Sequence, residues 1–214
     1  MTPYLPDPVV RRLPMYYRYL REAERNGVPF LSSAELGQMT GLTASQVRQD
    51  VNAFGGQGIQ GCGYPVKQLR QHVEKLLGAH RRHRMILMGA GNLGQALVQY
   101  SACGEGRFDI VAAFDTNVLK VGHPIGHLTI QHANDVEAFL KNHTVDIAIL
   151  AIPAGAAQQA AHLLYHLGVR GFWNFAPVDL QLPSDAAVVN VHLDESLELL
   201  TFLLQKTGEK RVAR

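Results

Sequence analysis

The chain has 214 residues, of which 47% are hydrophobic and 18% charged, and a formal net charge of +2. Those values describe a globular protein with enough chain to bury a core, and exclude disordered and collagen-like classes. No apolar run reaches the roughly 18 residues of a membrane span, and MTPYLPDPVVRRLP lacks the apolar core of a signal peptide, so a cytoplasmic protein without a membrane partner is expected.

Charge is distributed unevenly. Residues 1 to 84 hold 12 Lys+Arg and 6 Asp+Glu, whereas residues 85 to 214 hold 8 and 12. A basic first part points to a polyanionic partner, or to a solvated basic face without one. Cys62 and Cys103 are the only cysteines and form no CxxC, which argues against structural zinc and disulfide frameworks.

The first segment, residues 1–80, is mostly helical. A helix is expected from Met15 to the stop signal Asn26-Gly27. Ser32-Ser33-Ala34-Glu35 is a capping box opening a second helix that ends near Thr40-Gly41. Thr43-Ala44-Ser45-Gln46 opens a third, running to about Phe54. Val47, Val51 and Phe54 fall on its core face, while Ser45, Gln46, Arg48 and Gln49 point elsewhere. Two short helices around a tight glycine turn make a helix-turn-helix, with the third helix as the reading helix. Five glycines among residues 55–64 suit a hairpin, the wing of a winged helix. An amphipathic helix with Leu69, Val73, Leu76 and Leu77 inward follows, then a polar junction, His80 to Arg84.

The second segment, residues 81–191, reads as a doubly wound parallel sheet. Met85-Ile86-Leu87-Met88 is a buried-strand run entering Gly89-Ala90-Gly91-Asn92-Leu93-Gly94, a helix from Gln95, and a strand from Phe108 ending at Asp115. Strand, GxGxxG, helix, strand and acid in register form the dinucleotide fingerprint. Gly89 allows the turn, Gly91 lets backbone approach a pyrophosphate, and Gly94 permits close helix–strand packing. The phosphates would sit on the helix N-terminus, where free N–H groups and the dipole favour anions. Asp115 stands where the ribose-binding acid belongs, and its charge favours NAD(H) over NADP(H). The other reading of the glycines is a ligand-free turn between strand and helix. Further expected elements are a helix over 135–142, a strand over 145–151, a helix to Leu167-Gly168, and strands at 171–174 and 187–191. Ile152-Pro153-Ala154 and Asn174-Phe175-Ala176-Pro177 end two strands, and either flank a nicotinamide or punctuate loops.

The third segment, residues 192–214, carries Leu193, Leu197, Leu200 and Leu204 at helical spacing, widened by Leu199, Phe202 and Leu203. Either a partner subunit or the chain's own sheet covers such a stripe. No HExxH, GxSxG or P-loop is present. His80/His83 and His162/His166 are spaced pairs without Cys or carboxylate support, so no metal site is expected. Tyr100 reads as a helix-packing tyrosine and Cys103 as a small buried thiol.

Taken together, Arg12 to Arg18, Ser32 to Leu36, Gln46 to Asp50, Phe54-Gly55, Gly61 to Tyr64, the fingerprint continuing to Tyr100, and Asn174 to Pro177 resemble one family along essentially the whole chain: the bacterial redox-sensing repressor Rex. The resemblance implies a non-enzymatic homodimer that binds double-stranded operator DNA at low NADH/NAD+ and is released by NADH. It implies that the tail helix swaps into the partner, with Leu193 meeting the nicotinamide. On this view Arg48 reads a guanine edge, and Ser45, Gln46 and Gln49 contact bases or phosphates. Gln60 and Tyr64 act at the wing, and Lys67 and Arg70 supply sequence-independent affinity. The family links an aspartate at the start of the swapped helix to an arginine and a tyrosine. Arg12 and Tyr100 match those two, but His192 stands at the aspartate's place. The family's wing carries a basic residue and an aromatic, where Gln57, Ile59 and Gln60 stand here. The competing readings are an NAD-dependent dehydrogenase with an accessory domain and a CoA-responsive DNA-binding regulator.

Overall fold

Asp7 to Arg25 forms a single helix, α1, in this computed structural model, which describes residues 5–102 and 107–212, with side chains described for 5–100 and 107–206. Cys103 lies outside the described residues. α1 begins eight residues earlier than the sequence reading placed it, because Pro14 lies inside it. A proline inside a helix removes one backbone bond. Here Val9, Leu13, Tyr16, Tyr17 and Leu20 are buried along one face, and that packing outweighs the lost bond. Pro8 sits in the first turn, where no N–H partner is needed.

The chain divides into two units, Met1–Arg81 and Arg82–Arg214. In the first, α1 is followed by β1 (Phe30–Leu31), α2 (Ser33–Thr40) and α3 (Ala44–Ala53). Both capping boxes form. Ser32 Oγ accepts from the Glu35 N–H, and Thr43 Oγ1 from the Gln46 N–H, with the reciprocal bonds in place. β2 (Tyr64–Pro65) pairs antiparallel with β1, and α4 (Val66–Leu76) packs on α1. The expected hairpin is reduced to a single rung, in which Ile59 and Gly63 exchange backbone bonds of 2.7 and 3.0 Å. Gly63 has φ +94°, and a Cβ there would lie 2.5 Å from the Leu31 carbonyl oxygen, so glycine is required where the wing returns to β1.

The second unit is built on β3 (His83–Met88), α5 (Asn92–Ala102), β4 (Phe108–Asp115), β5 (Pro124–Ile125), β6 (Leu128–His132), α6 (Val136–Asn142), β7 (Ile147–Leu150), α7 (Ala154–His166), β8 (Gly171–Asn174), β9 (Ala187–Asn190) and α8 (Leu193–Val212). The sheet order is β5-β6-β4-β3-β7-β8-β9, parallel except for β5. Without the antiparallel β5 edge, this is the strand order of a doubly wound dinucleotide fold, with the chain reversing direction across the sheet at β3 and β7. From Met85 to Met88 β3 is apolar and buried because both of its faces are covered. Ile86 and Met88 join a cluster with α6 and α7, while Met85 and Leu87 join one with α5. The β5–β6 hairpin was not expected from the sequence: its strands, Pro124–Ile125 and Leu128–His132, are short.

Candidate functional site

β3 delivers the chain to its carboxyl end at Gly89, where the turn into α5 begins. Gly89 has φ +98°, and a Cβ there would stand 2.3 Å from the Ala151 carbonyl oxygen. A Cβ on Gly94 would come to 2.1 Å from the Gly89 oxygen, so the third glycine lets α5 lie against its own turn. Around Gly91 there is nothing within 4 Å. Its lack of a side chain therefore serves an approach from outside, not internal packing. The first turn of α5 leaves Asn92 and Leu93 solvent-facing and carries no acid, so its free N–H groups face an uncrowded entrance. These features fit the pyrophosphate of a dinucleotide.

Asp115 ends β4 beside this turn and is 9% exposed. Its carboxylate accepts from the Ala90 N–H at 2.9 Å, the Asn117 N–H at 2.8 Å and the Lys120 ammonium at 3.0 Å. Burial pushes its pKa up, but the bonds from Asn117, Lys120 and Ala90 outweigh that and hold it below the usual carboxylate range. The acid therefore ties the glycine turn to β4 while ionised. Lys120 is a residue that the sequence reading missed; its only signal was a cation five residues after the acid.

The loops after β7 and β8 lie at the same carboxyl end of the sheet. Ile152 is half-buried against the Gly89 turn, Pro153 is exposed, and Ala154 opens α7. Phe175 is half-buried and tilted on Trp173, with ring centroids 4.7 Å apart. Asn174 needs a correction. Its side chain is fully buried and bonds inward, to the carbonyl of Val178 at 2.7 Å, to Asn190 Oδ1 at 2.9 Å and from the Ala176 N–H at 3.0 Å. Its side chain is turned inward and shapes the loop that presents Phe175.

The tail helix α8 is exposed from Leu193 to Lys206. Leu193, Leu197, Leu200 and Leu204 all face solvent, as do Leu199, Phe202 and Leu203. Along the sheet, Leu87, Ile149, Trp173 and Val189 stand side by side in register. The first two are fully buried, Trp173 is half-buried and Val189 is 60% exposed. The face covered by α5 is thus left open toward β9. At the head of α8, His192 Nε2 lies 2.9 Å from Asp179 Oδ1. That contact, more than any other interaction, raises the His192 pKa. Tyr100 is 75% exposed rather than packed, so its ring is presented outward from α5.

In the first unit, Ser45, Gln46, Arg48 and Gln49 share the exposed face of α3. Gln46 Oε1 is engaged at the cap, accepting from the Thr43 N–H at 3.0 Å. Arg48 reaches Ser33 Oγ at 3.1 Å, its guanidinium otherwise at the surface. Gln60 and Lys67 are exposed. Two expectations need correction. Tyr64 is buried in the core, under Gly58 of the wing and paired with Leu31, and is not at a contact surface. Arg70 is held between Glu24 at 2.5 Å and Glu74 at 2.6 Å, so its charge is already compensated within the fold. Sequence reasoning also missed Asp50. Its buried carboxylate on α3 takes two bonds from Arg12 and one from Tyr16, and locks the reading helix to α1.

A capped helix with an outward polar face in one unit, and an open glycine turn with a terminal acid in the other, define a DNA-binding regulator carrying a dinucleotide fold. Known proteins agree. The family model described as "Putative DNA-binding protein N-terminus" matches residues 4–52, and the CoA binding domain model matches residues 80–178. The redox-sensing transcriptional repressor Rex of Clostridium botulinum strain Hall is 43% identical over 199 residues, covering 93% of this chain and 95% of the relative. That of strain Alaska E43 is 43% identical over 198 residues, covering 92% and 94%. The crystal structure of RSP, a Rex-family repressor, superposes with a TM-score of 0.89 at 38% identity and covers 99% of both chains. RSP in complex with NAD+ and operator DNA gives 0.87 at 40% identity, covering 97% of this chain and 96% of that one. RSP in complex with NADH gives 0.87 at 38%, covering 98% and 99%. The chain belongs to the Rex family of redox-sensing transcriptional repressors. Its relatives are named as repressors, not as enzymes.

Proposed function

We propose that this protein is a redox-sensing transcriptional repressor that binds operator DNA when NADH/NAD+ is low and leaves it when NADH rises. The observation that carries this reading is the glycine turn, which closes tightly at Gly89 and Gly94 yet is open at Gly91, beside an ionised Asp115. RSP, so similar in fold, was crystallised with NADH and, separately, with NAD+ and operator DNA.

In this reading residues 1–80 bind DNA, 81–191 bind the nucleotide and 192–214 dimerise. The phosphates rest on the turn from Gly89 to Gly94, with the backbone of Ala90, Asn92 and Leu93 around them, and Asp115 faces the adenosine ribose. Ile152, Pro153, Ala154 and Phe175, with Leu193 of the tail, surround the nicotinamide. That ring is where the coenzyme's redox state registers, as a positive charge on NAD+ that NADH lacks. An apolar surround disfavours the charge and so favours NADH. A sensor responds only if its two conformations bind the ligand unequally.

The protein acts as a homodimer in the cytoplasm. The leucine face of α8 and the open sheet face at Trp173 and Val189 are complementary apolar surfaces, and a second copy supplies the cover for both. Two symmetry-related α3 helices then read a pseudo-palindromic site. Arg48 is the base-reading residue, with Ser45, Gln46 and Gln49 beside it and Gln60 and Lys67 at the backbone. Arg12, Tyr100 and His192 couple nucleotide state to DNA binding.

The alternative to a pyridine dinucleotide is a CoA-responsive regulator on the same fold, whose ligand carries a phosphate at the ribose end. Calorimetry with NADH, NAD+ and CoA, combined with gel shifts on a promoter library, tests the proposal. NADH binding and NADH-dependent loss of shifted bands support it. Binding of CoA alone overturns it.

A further inference from the structure

Asp115 does not stand alone at the end of β4. The chain leaves it in a tight turn, in which the Asn117 side chain accepts from the Leu119 N–H at 2.9 Å and the Lys120 N–H bonds to the Asn117 carbonyl at 2.9 Å. Two exposed apolar residues, Val118 and Leu119, form the tip. The turn then brings the Lys120 ammonium back to 3.0 Å from Asp115 Oδ2, at the surface and with its side chain 38% exposed. The position read as an acid that repels a 2′-phosphate is therefore an acid–base pair with no net charge, whose cationic member is the more exposed.

We propose that Lys120 is a specificity-determining residue for the coenzyme, lowering the penalty against a ribose 2′-phosphate so that this protein also binds NADPH measurably. The inference rests on the assignment of Asp115 to the adenosine ribose made above. The physical reason is charge. A phosphomonoester carries roughly −1.5 to −2 at neutral pH. An uncompensated carboxylate within hydrogen-bonding distance of a ribose hydroxyl repels it, and an ammonium beside that carboxylate offsets the repulsion and offers a donor of its own. NADH, bearing only hydroxyls there, gains little from the ammonium. Lys120 thus acts on the ratio of the two affinities.

The test is calorimetric titration of the full-length protein with NADH and with NADPH, for wild type, Lys120→Met, Lys120→Gln and Lys120→Arg. Removing the charge is expected to weaken NADPH about tenfold and NADH by less than about threefold, a contrast that shrinks in high salt. Lys120→Gln, which keeps a donor for Asp115, is expected to behave as Lys120→Met does, and Lys120→Arg to restore the wild-type ratio. An unchanged NADPH/NADH ratio in both uncharged variants overturns the proposal, as does a loss repaired by Lys120→Gln, since that identifies support of Asp115 as the role. Wild type that binds NADH but shows no measurable NADPH binding overturns this inference alone. Wild type that binds neither nucleotide removes the ribose assignment beneath it as well.

Discussion

Arg12 and Asp50, 38 residues apart in sequence, meet through two parallel N–H···O bonds of 2.7 Å each. The Asp50 carboxylate also accepts from the buried Tyr16 hydroxyl at 2.8 Å. Three charge-assisted bonds thereby fix α3, and with it Arg48, to α1. Asp50 holds the Arg12 pKa above its ordinary value, chiefly through this hydrogen bond. Burial and the same carboxylate raise that of Tyr16. Because Arg12 has this internal partner, any coupling through it to a nucleotide-dependent movement competes with Asp50.

Replacing Asp50 with Ala should therefore loosen the reading helix. Its carboxylate is buried, and hydrogen bonds to charged groups contribute about 1.5–3 kcal/mol each before the exposure of Arg12 reduces the sum. The expected outcome is a first unit destabilised by about 2–3 kcal/mol in urea unfolding and DNA binding lost at physiological salt, with NADH affinity unchanged. Full DNA affinity in Asp50→Ala removes the anchoring role.

The three glycines of the turn predict three different defects. Gly94→Ala sets a methyl against the Gly89 oxygen and should destabilise the second unit by about 1–3 kcal/mol, with nucleotide binding abolished. Gly89→Ala combines that crowding with an unfavourable φ and should be at least as damaging. Gly91→Ala, with open space around it, should melt as wild type does yet bind NADH about tenfold more weakly, or ~1.4 kcal/mol. Thermal melts and NADH titrations of the three proteins separate the outcomes. A destabilised Gly91→Ala, or one with normal NADH affinity, contradicts the assignment.

Much of this was legible in the sequence, and what escaped it has physical causes. The capping boxes at Ser32 and Thr43 are local hydrogen-bond codes, readable from four residues. The alternation of β3 and β4 with the glycine turn is equally local. Pro14 misled, because its helix is sustained by tertiary packing, with α1 lying on α4, Tyr16 against Phe54 and Leu13 buried in the same core. Tyr64 and Arg70 are of residue types suited to DNA contacts, but their fates are decided by non-local partners, Leu31 for one and Glu24 and Glu74 for the other. Asn174 likewise bonds to Asn190, 16 residues away, and no spacing rule announces that. The open row ending at Val189 depends on strand register, which only the assembled sheet provides.

The tail should determine the oligomeric state. Leu197→Glu with Leu200→Glu places two charges on the exposed stripe of α8, where a partner is expected to lie. Sedimentation should show a dimer for wild type and a monomer for the double variant. A variant that remains dimeric assigns the interface to another surface.

His192 and Asp179 give a pH dependence of definite sign. The imidazole pKa is raised in the folded chain, so the pair stabilises the head of α8 fully below the ordinary imidazole value. That contribution is lost as pH rises through the raised value. The pair is at the surface, so the effect on global stability is small. Wild type should exceed His192→Ala in thermal stability and in NADH-driven DNA release at pH 6, and the two should converge by pH 8. Identical behaviour at pH 6 contradicts a coupling role for His192.

Arg48→Ala should weaken operator binding by about 1–3 kcal/mol and relax preference at one base pair of each half-site. Lys67→Ala should weaken all sequences alike and reduce the salt slope.

The most direct measurement is fluorescence anisotropy of a labelled operator duplex at fixed total coenzyme while the NADH/NAD+ ratio is varied. The account predicts tight binding at the oxidised end and release as NADH accumulates, with both limits merged in Gly91→Ala. Equal affinity for the duplex across the whole range of ratios would contradict it.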